Sequence, residues 1–480
     1  MFFATRHVPG LAVYSYLVGD EAAGLCAVVD PTRDVDEIVR MARENNLTIA
    51  HILETHVHAD FASGARELKS RIGNQAQICA SGLGGDEWTP AYADRVIREG
   101  DEIMLGRTRL QAVHTPGHTP EHIAWAVFDT TRSEEVPWML LTGDFLFVGD
   151  VGRPDLLGDE AQQKLARDLY ESVFNRLDGF PDSVEVFPAH GAGSLCGKSM
   201  GSRSSSTLGY ERKFNPAFEK TTQDEWARDL ISDMPTAPDY FRKMKELNQK
   251  GPPILGDALP GQVAISPEEA HAGACENCLV LDVRAKEAFA GAHIPGAINI
   301  PLGKNLSTWA GWVLPYDRPL MVVAHEPGDM RMVATHLIRI GLDDIRGFLD
   351  GGIWDWEKKG YPIETLNTMS VHGLNERVQS GEKATVLDVR TEKEWKAGHI
   401  EGALHIHGGQ LQQRTKEVPR GKPVAVVCGS GYRASIAASF LRRAGYEDVA
   451  NVLGGMKAWH NANLPTAQEN GADDHGENRT

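Results

Sequence analysis

The sequence is short of cysteine, of basic charge and of long apolar runs, and each shortage excludes something. Six cysteines in 480 residues are too few and too scattered for a disulfide framework, so any that matters is expected to act as a thiol. Lys and Arg number 49 against 66 Asp and Glu, a net charge of −17. That balance argues against a nucleic-acid partner, whose contact face would be basic, and against an anionic membrane surface. No stretch approaches the ~18 apolar residues of a membrane span. The opening MFFATRHVPGLAVYSYLVGD lacks the basic segment, apolar run and small-residue site of a cleavable leader, so a soluble, cytoplasmic protein is expected. What is present is ordinary for globular proteins: 41% hydrophobic and 24% charged residues exclude global disorder and fibrous repeats. At roughly 100 to 200 residues per domain the length predicts two to four domains.

The second half is a tandem duplication. LDVRAKEAFAGAHIPGAINIP begins at Leu281 and LDVRTEKEWKAGHIEGALHIH at Leu387, 106 residues later. Each copy continues with an apolar strand (321–324; 424–427), a short loop, a helical stretch, and then GFLDGGIWDW or NVLGGMKAW. Strand, loop and helix in that order predict small α/β domains with parallel sheets. The first half has no copy of LDVR and is read as a separate domain over 1–250, closed by a helical pattern at 226–249. GPPILGDALPG, 251–261, carries Pro and Gly where neither helix nor strand tolerates them and is expected to be a linker. The copies then occupy 262–366 and 367–465, and the polar tail 466–480 is expected to be disordered.

Four segments of the first domain carry its chemistry: ETHVHADF (54–61), HTPGHTPEH (114–122), LLTGDFLFVGDVGRPD (140–155) and FPAHGAG (187–193). Each follows or ends an apolar run of strand type, which puts its functional groups on loops at strand ends, where α/β folds place chemistry. Flanking His51, His114 and His122 are read as core or surface residues, and Asp30 and Asp150 as turn or cap residues.

These segments resemble the metallo-β-lactamase superfamily over about residues 1–250, and within it the persulfide dioxygenases. The resemblance implies an αββα sandwich and one Fe(II) per chain, held by His56, His118 and Asp144. Two imidazoles and one carboxylate leave open positions on a redox-active metal, as non-haem oxygenases require. Phe61 is a departure from the dinuclear hydrolases of the superfamily, glyoxalase II among them. Those enzymes carry a second-metal His directly after the Asp of HxHxD, and a phenyl ring cannot coordinate. Asp60 and His190 are then expected to orient ligands or water, and His58 either to do the same or to serve as a third His ligand in a zinc enzyme. Arg153 is a candidate clamp for a substrate carboxylate, with a structural salt bridge as the alternative. The Gly/Ser-rich run 193–216, with Lys198 and Tyr210, reads as a substrate lid or as an ordinary solvated loop. Cys196 within it has no evident partner.

In the last copy VAVVCGSGYRAS sets Cys428 directly after a buried-type strand, with a helix starting near Ala434. Such a loop turns backbone N–H groups of Gly429, Ser430, Gly431 and Tyr432 toward the sulfur and, with Arg433, favours a thiolate. This loop, with LDVR (387–390), AGHI (397–400) and LGGMKAW (453–459), resembles the rhodanese family, which implies that Cys428 carries sulfane sulfur as a persulfide. Only four residues separate Cys428 from Arg433, one fewer than in the related phosphatases, which favours sulfur transfer over dephosphorylation. Asp282, Arg284, Asp388, Arg390 and His399 recur in or belong to the repeat framework and are read as serving the fold. In the middle copy Ala324 stands where Cys428 does, and HEPGDMR has no cysteine, so that copy is read as an inactive rhodanese-like spacer or docking platform. Cys275 and Cys278 form a CxxC that supports a zinc site weakly and redox pairing slightly better.

The order of metallo-β-lactamase, inactive rhodanese and active rhodanese resembles bacterial sulfide-detoxification fusions. It implies oxidation of a low-molecular-weight persulfide by O₂ to sulfite, and transfer of sulfane sulfur through Cys428 to sulfite, giving thiosulfate, or the reverse. Fusion raises the effective concentration of one site's product at the other. The rival is a zinc thioester hydrolase of glyoxalase II type fused to a sulfurtransferase. A homo-oligomer is compatible with either.

Overall fold

The computed structural model describes residues 1–468 apart from 220, 233, 274, 276, 382 and 383; residues 469–480 of the expected tail lie outside the described residues. The chain divides into two compact units, Met1–Leu259 with Thr335–Asp343, and Pro260–Ala334 with the residues from Asp344 on.

The first unit holds two six-stranded sheets. One runs Phe2–Val8, Val13–Asp20, Leu25–Val29, Thr48–Leu53, Gln77–Ser81, Arg95–Ile97 in spatial order, antiparallel through its first three strands and parallel thereafter. The other runs Ser206–Thr207, Glu185–Pro188, Met139–Gly143, Ile123–Asp129, Thr108–His114, Glu102–Leu105. Tyr16, Val18, Val29 and Leu53 of the first sheet meet Trp125, Val127 and Leu141 of the second in one buried layer. Helix Asp36–Glu44 presents Ile38, Val39 and Ala42 to the outer face of the first sheet, the i, i+1, i+4 stripe of an amphipathic helix. Leu169, in helix Asp159–Glu171, packs on the outer face of the second. Covered on both faces, strand Val13–Asp20 is buried at every position, whereas the edge strand Glu102–Leu105 alternates exposed and buried.

The stretch expected to be a linker is tied to this unit as far as residue 256. Arg66 donates to the carbonyls of Gly251 and Pro252, Arg33 to that of Pro253, and Arg71 to that of Gly256, while Glu67 accepts from the Leu255 N–H. Its Gly and Pro residues end the helix Tyr240–Lys250 and leave carbonyls free for these arginines.

The second unit repeats one design twice. Its two five-stranded sheets are parallel and share a strand order: Ala264–Ile265, Ile345–Leu349, Leu320–Val323, Leu279–Asp282, Ile298–Asn299 in the first copy, and Asn367–Met369, Val449–Val452, Val424–Val427, Thr385–Asp388, Leu404–His405 in the second. Arg284 binds Asp282, and Arg390 binds Asp388, through the same Nε and Nη2 donors in each copy. These pairs are buried at strand ends, as the recurrence of the motif suggested. Ala467 pairs with His399 through two backbone hydrogen bonds of 2.9 and 2.8 Å, so chain order extends into the start of the expected tail. Cys275 and Cys278 are joined as a disulfide just before strand Leu279–Asp282. Among the described residues no helix is long and apolar enough to cross a membrane.

Candidate metal centre and thiol loop

Four strand ends of the first unit converge. His56 lies just past strand Thr48–Leu53, His118 past Thr108–His114, Asp144 past Met139–Gly143 and His190 past Glu185–Pro188. Backbone hydrogen bonds lock these ends together: Ile123 N–H to the Thr55 carbonyl at 2.9 Å, and Ala189 N–H to the Gly143 carbonyl at 2.9 Å.

His56 Nε2 stands 3.8 Å and His118 Nε2 3.6 Å from Asp144 Oδ2. All three atoms are buried and have no hydrogen-bond partner. Three orphaned lone-pair atoms within reach of one point in the interior would each carry a desolvation penalty unless a cation satisfied them, and together they can hold a metal ion. The opposite edge of each imidazole fixes its tautomer. Thr55 Oγ1 donates to Asp30 Oδ2 at 2.8 Å, so at 2.9 Å from His56 Nδ1 it must accept. His118 Nδ1 is 2.9 Å from the Arg153 carbonyl, which can only accept. Both Nε2 atoms therefore carry lone pairs. Burial, then the positive field of neighbouring histidines, holds His56 well below its ordinary pKa, and burial lowers that of His118 although Asp144 opposes it.

Asp144 is placed by two histidines. Its backbone N–H donates to His122 Nε2 at 2.9 Å, and His122 Nδ1 lies 2.8 Å from Thr115 Oγ1. Its Oδ1 accepts from His190 Nδ1 at 2.6 Å, while His190 Nε2 binds Asp60 Oδ2 at 2.8 Å. Burial would lower the pKa of His190, but carboxylates on both sides push it up to about 10. Burial would raise Asp144, yet His190 and then His118 hold it below the usual carboxylate range. His122, read from sequence as a bystander, is thus a positioning residue. Its offset of four from His118 in HTPEH is the signal that could have marked it.

His58 turns to a separate buried group, 3.1 Å from Asp30 Oδ1 and 3.4 Å from Glu54 Oε2. Burial would lower its pKa, but these carboxylates raise it well above the ordinary value. In this arrangement it is an ion-pair residue, and Asp30, expected to be a turn residue, is a hub that bonds Thr55 and faces His58. Phe61 is fully buried with its ring 4.3 Å from that of His58. Asn248, from the closing helix, was not singled out in the sequence. It accepts from the Ser63 N–H and donates to the carbonyls of His58 and Phe61, holding the HxHxDF loop in place.

The residues expected to contact substrate are placed by the packing around them. Arg153 is 1% exposed. Its guanidinium binds Asp155 through Nε and Nη2 and the carbonyls of Leu195 and Pro235, so the side chain fixes the loop and only the carbonyl serves His118. Lys198 Nζ binds the carbonyls of Asp229 and Ser232 at a helix end, not an open cleft. Tyr210 is exposed, its ring against Phe214. Asp150 accepts from the N–H groups of Lys198 and Ser199, both at 2.7 Å, which anchors the first half of the Gly/Ser-rich loop. Cys196 is fully buried beside Asp60 and His190, a neighbourhood that raises its pKa, first by burial and then through the charges of Asp60 and Asp144.

In the second unit Cys428 follows strand Val424–Val427 and is buried, its Sγ accepting from the Gly431 N–H at 3.1 Å. Gly431 has φ 89° and begins helix Tyr432–Arg443. Arg433 binds Glu394 through both Nη atoms, at 2.7 and 2.6 Å, a bidentate pair that holds the Glu394 pKa down at about 2 against the effect of burial. Ser430 is exposed at the loop tip, and the Tyr432 hydroxyl donates to the Pro301 carbonyl at 3.2 Å. Gly455, φ 54°, passes so close beneath that a Cβ there would lie 2.1 Å from the Cys428 carbonyl oxygen, which explains the paired glycines of LGGMKAW.

Fold and site define a metallo-β-lactamase-type domain whose buried His56, His118 and Asp144 can hold a metal, followed by two copies of one parallel α/β domain. The Metallo-beta-lactamase superfamily model matches residues 8–190, and the Rhodanese-like domain model matches 266–359 and 370–462. The chain is 31% identical over 256 residues to "Persulfide dioxygenase ETHE1, mitochondrial" of Mus musculus, spanning 53% of this chain and 85% of that protein. It is 35% identical over 177 residues to a hydroxyacylglutathione hydrolase of Rhodospirillum rubrum, 37% of this chain and 61% of that one. The crystal structure of a metallo-beta-lactamase from Staphylococcus aureus subsp. aureus COL matches with TM-score 0.64 and 37% identity over 72% of this chain and 98% of the other. The chain belongs to the metallo-beta-lactamase superfamily, among its persulfide dioxygenase homologues, and carries two rhodanese-like domains.

Proposed function

We propose that the first domain oxidises a low-molecular-weight persulfide, glutathione persulfide or a similar species, with O₂. The balance is RSSH + O₂ + H₂O → RSH + sulfite + 2 H⁺. The observation that carries this reading is the convergence of the orphaned His56, His118 and Asp144 atoms, with Phe61 standing where the dinuclear hydrolases carry a second-metal histidine. These three residues would hold Fe(II), which supplies the electron exchange with dioxygen that zinc cannot. Thr55, Arg153 through its carbonyl, His122 and His190 keep the ligands in their metal-binding tautomers and positions.

Cys428 then carries sulfane sulfur. Its thiolate attacks the outer sulfur of a second persulfide, forming a Cys428 S–S bond and releasing the carrier thiol. Sulfite attacks the terminal sulfur, thiosulfate leaves, and the Gly431 N–H stabilises the returning thiolate. The enzyme is thus read as a persulfide dioxygenase and thiosulfate sulfurtransferase of sulfide detoxification.

Oxygen uptake by Fe(II)-loaded protein on adding glutathione persulfide tests the first step, with Asp144→Ala as the comparison. Rapid uptake lost in the variant is expected. The 35% identity to a hydroxyacylglutathione hydrolase keeps a second reading, zinc-dependent thioester hydrolysis. In its favour Asp60 and His190 are both present, but against it each ring nitrogen of His190 is engaged by a carboxylate. One bound iron with no uptake from several persulfides would refute the oxygenase and favour the hydrolase.

A further inference from the structure

We propose that the cysteine-less copy supplies the anion-recognition residue of the Cys428 site, and that this residue is Lys286, binding the sulfonate end of thiosulfate or the incoming sulfite. The proposal rests on the reading of Cys428 as the sulfur carrier. A Cβ built on Gly431 would lie 3.2 Å from Lys286 Cε, and Gly431 is the residue whose N–H reaches the Cys428 sulfur at 3.1 Å. The lysine stem therefore runs along the residue that cradles the reacting atom.

The charge there is available. Lys286 Nζ is paired with Glu287, whose side chain is 61% exposed, and such solvent-exposed pairs are weak and exchange readily for another anion. Arg433, the loop's own cation, is held on both oxygens of Glu394 and is compensated. Counted from the shared LDVR, the position of Lys286 is occupied in the active copy by Glu392, which could not attract an anion.

Buried hydrogen bonds fix where the lysine stands. Asn299 Nδ2 donates to the carbonyls of Asp282 and Arg284 at 3.0 Å each, just ahead of Lys286. Its Oδ1 accepts from Ser435 Oγ at 2.7 Å, and its N–H donates to Ser439 Oγ at 3.1 Å, both on the helix that begins at the cysteine loop. The Tyr432 to Pro301 bond adds a third tie. The inactive copy is thus a fixed wall of the active one.

In the thiosulfate direction the Cys428 thiolate attacks the sulfane sulfur. A Cys428 S–S bond forms, the bond to the sulfonate sulfur breaks, and its electron pair leaves with sulfite. In the other direction sulfite attacks the Cys428 persulfide and the Cys428 thiolate leaves. Both bring a dianion to an anionic sulfur, and an ammonium group beside Gly431 offsets the repulsion.

The test uses the full chain with thiosulfate as donor and cyanide as acceptor. Lys286→Gln is expected to raise the KM for thiosulfate about tenfold, the scale of one charge-assisted hydrogen bond. Its kcat should stay within about twofold, Lys286→Arg should restore most of the loss, and the difference should shrink as salt rises. Loading of Cys428 from a persulfide on an otherwise uncharged carrier thiol, read by mass spectrometry, should match wild type and shows that the variant is folded. An unchanged thiosulfate KM in Lys286→Gln, with Cys428→Ser inactive, overturns the role of Lys286 and leaves the sulfur-carrier reading intact. Activity surviving in Cys428→Ser overturns both.

Discussion

Thr55→Val is the sharpest test of how the metal centre is held. The hydroxyl of Thr55 does two things at once: it donates to Asp30 Oδ2 and accepts from His56 Nδ1. Valine keeps the shape and removes both. His56 loses the contact that places its proton on Nδ1, and the tautomer with Nε2 protonated, which cannot ligate, becomes accessible. Removal of such an orienting partner typically costs 10 to 100-fold in metal affinity, about 1.4–2.8 kcal/mol. Asp30 keeps its bond from the Thr55 N–H, so stability should fall by only about 1–3 kcal/mol for the unpaired buried groups. The assay is Fe(II) or Zn(II) affinity by chelator competition, read beside a denaturation midpoint. Thr55→Ser, which keeps the oxygen, should recover the affinity. Wild-type affinity in Thr55→Val would refute the assignment of the His56 tautomer, and an equal loss in Thr55→Ser would show that the methyl group, not the hydroxyl, matters.

Gly455→Ala forces a Cβ within 2.1 Å of the Cys428 carbonyl oxygen at a φ of 54°; the last domain should lose roughly 2 kcal/mol or more and sulfur transfer should fall, while oxygen uptake persists. Glu121, fully buried and accepting from the Val57 N–H, has its pKa raised from 4.5 to about 7, mainly by burial. A raised folded pKa means that its favourable contribution is complete below pH ~4.5 and is lost as pH climbs through about 7, for a difference of about 3 kcal/mol. Denaturation of wild type and Glu121→Gln between pH 5 and 8 should show that decline in the wild type alone, and parallel curves would refute it. A fragment starting at residue 367 loses Phe289, Ala290, Ala297 and Leu366, which share one buried cluster with Leu387, Val426 and Leu441. It should therefore unfold at markedly lower denaturant than a fragment starting at residue 260, and equal midpoints would refute the shared core.

What the sequence disclosed best was whatever local pattern specifies. Strand-end motifs named His56, His118, Asp144 and His190, and the repeat disclosed two copies of one parallel sheet, because hydrophobic runs ending in turns are written contiguously. What it hid depends on contacts distant in the chain. Asn248 grips a loop 187 residues away, and no spacing rule links the two. Arg153 has the chemistry of a substrate clamp, and only the packing of Asp155, Leu195 and Pro235 around it removes the guanidinium from reach. The linker's Pro and Gly residues correctly signalled a break in regular structure, but the arginines that tie it down lie far back in the chain.

The two rhodanese-like copies separate what the fold requires from what the chemistry requires. Both keep the aspartate–arginine pair buried at the end of the first strand of LDVR, and removing one partner of such a pair would strand a charge in the interior. Only one keeps Cys428 and the Glu394 that binds Arg433; at the matching positions the other has Ala324 and Ala288. Loss of the nucleophile relaxes the requirement for a thiolate cradle but not for the core that the copies share through Phe289, Ala297 and Leu387. The cysteine-less copy thus keeps the core face it shares with its twin, and along that face stands Lys286, the residue proposed above to act beside Gly431.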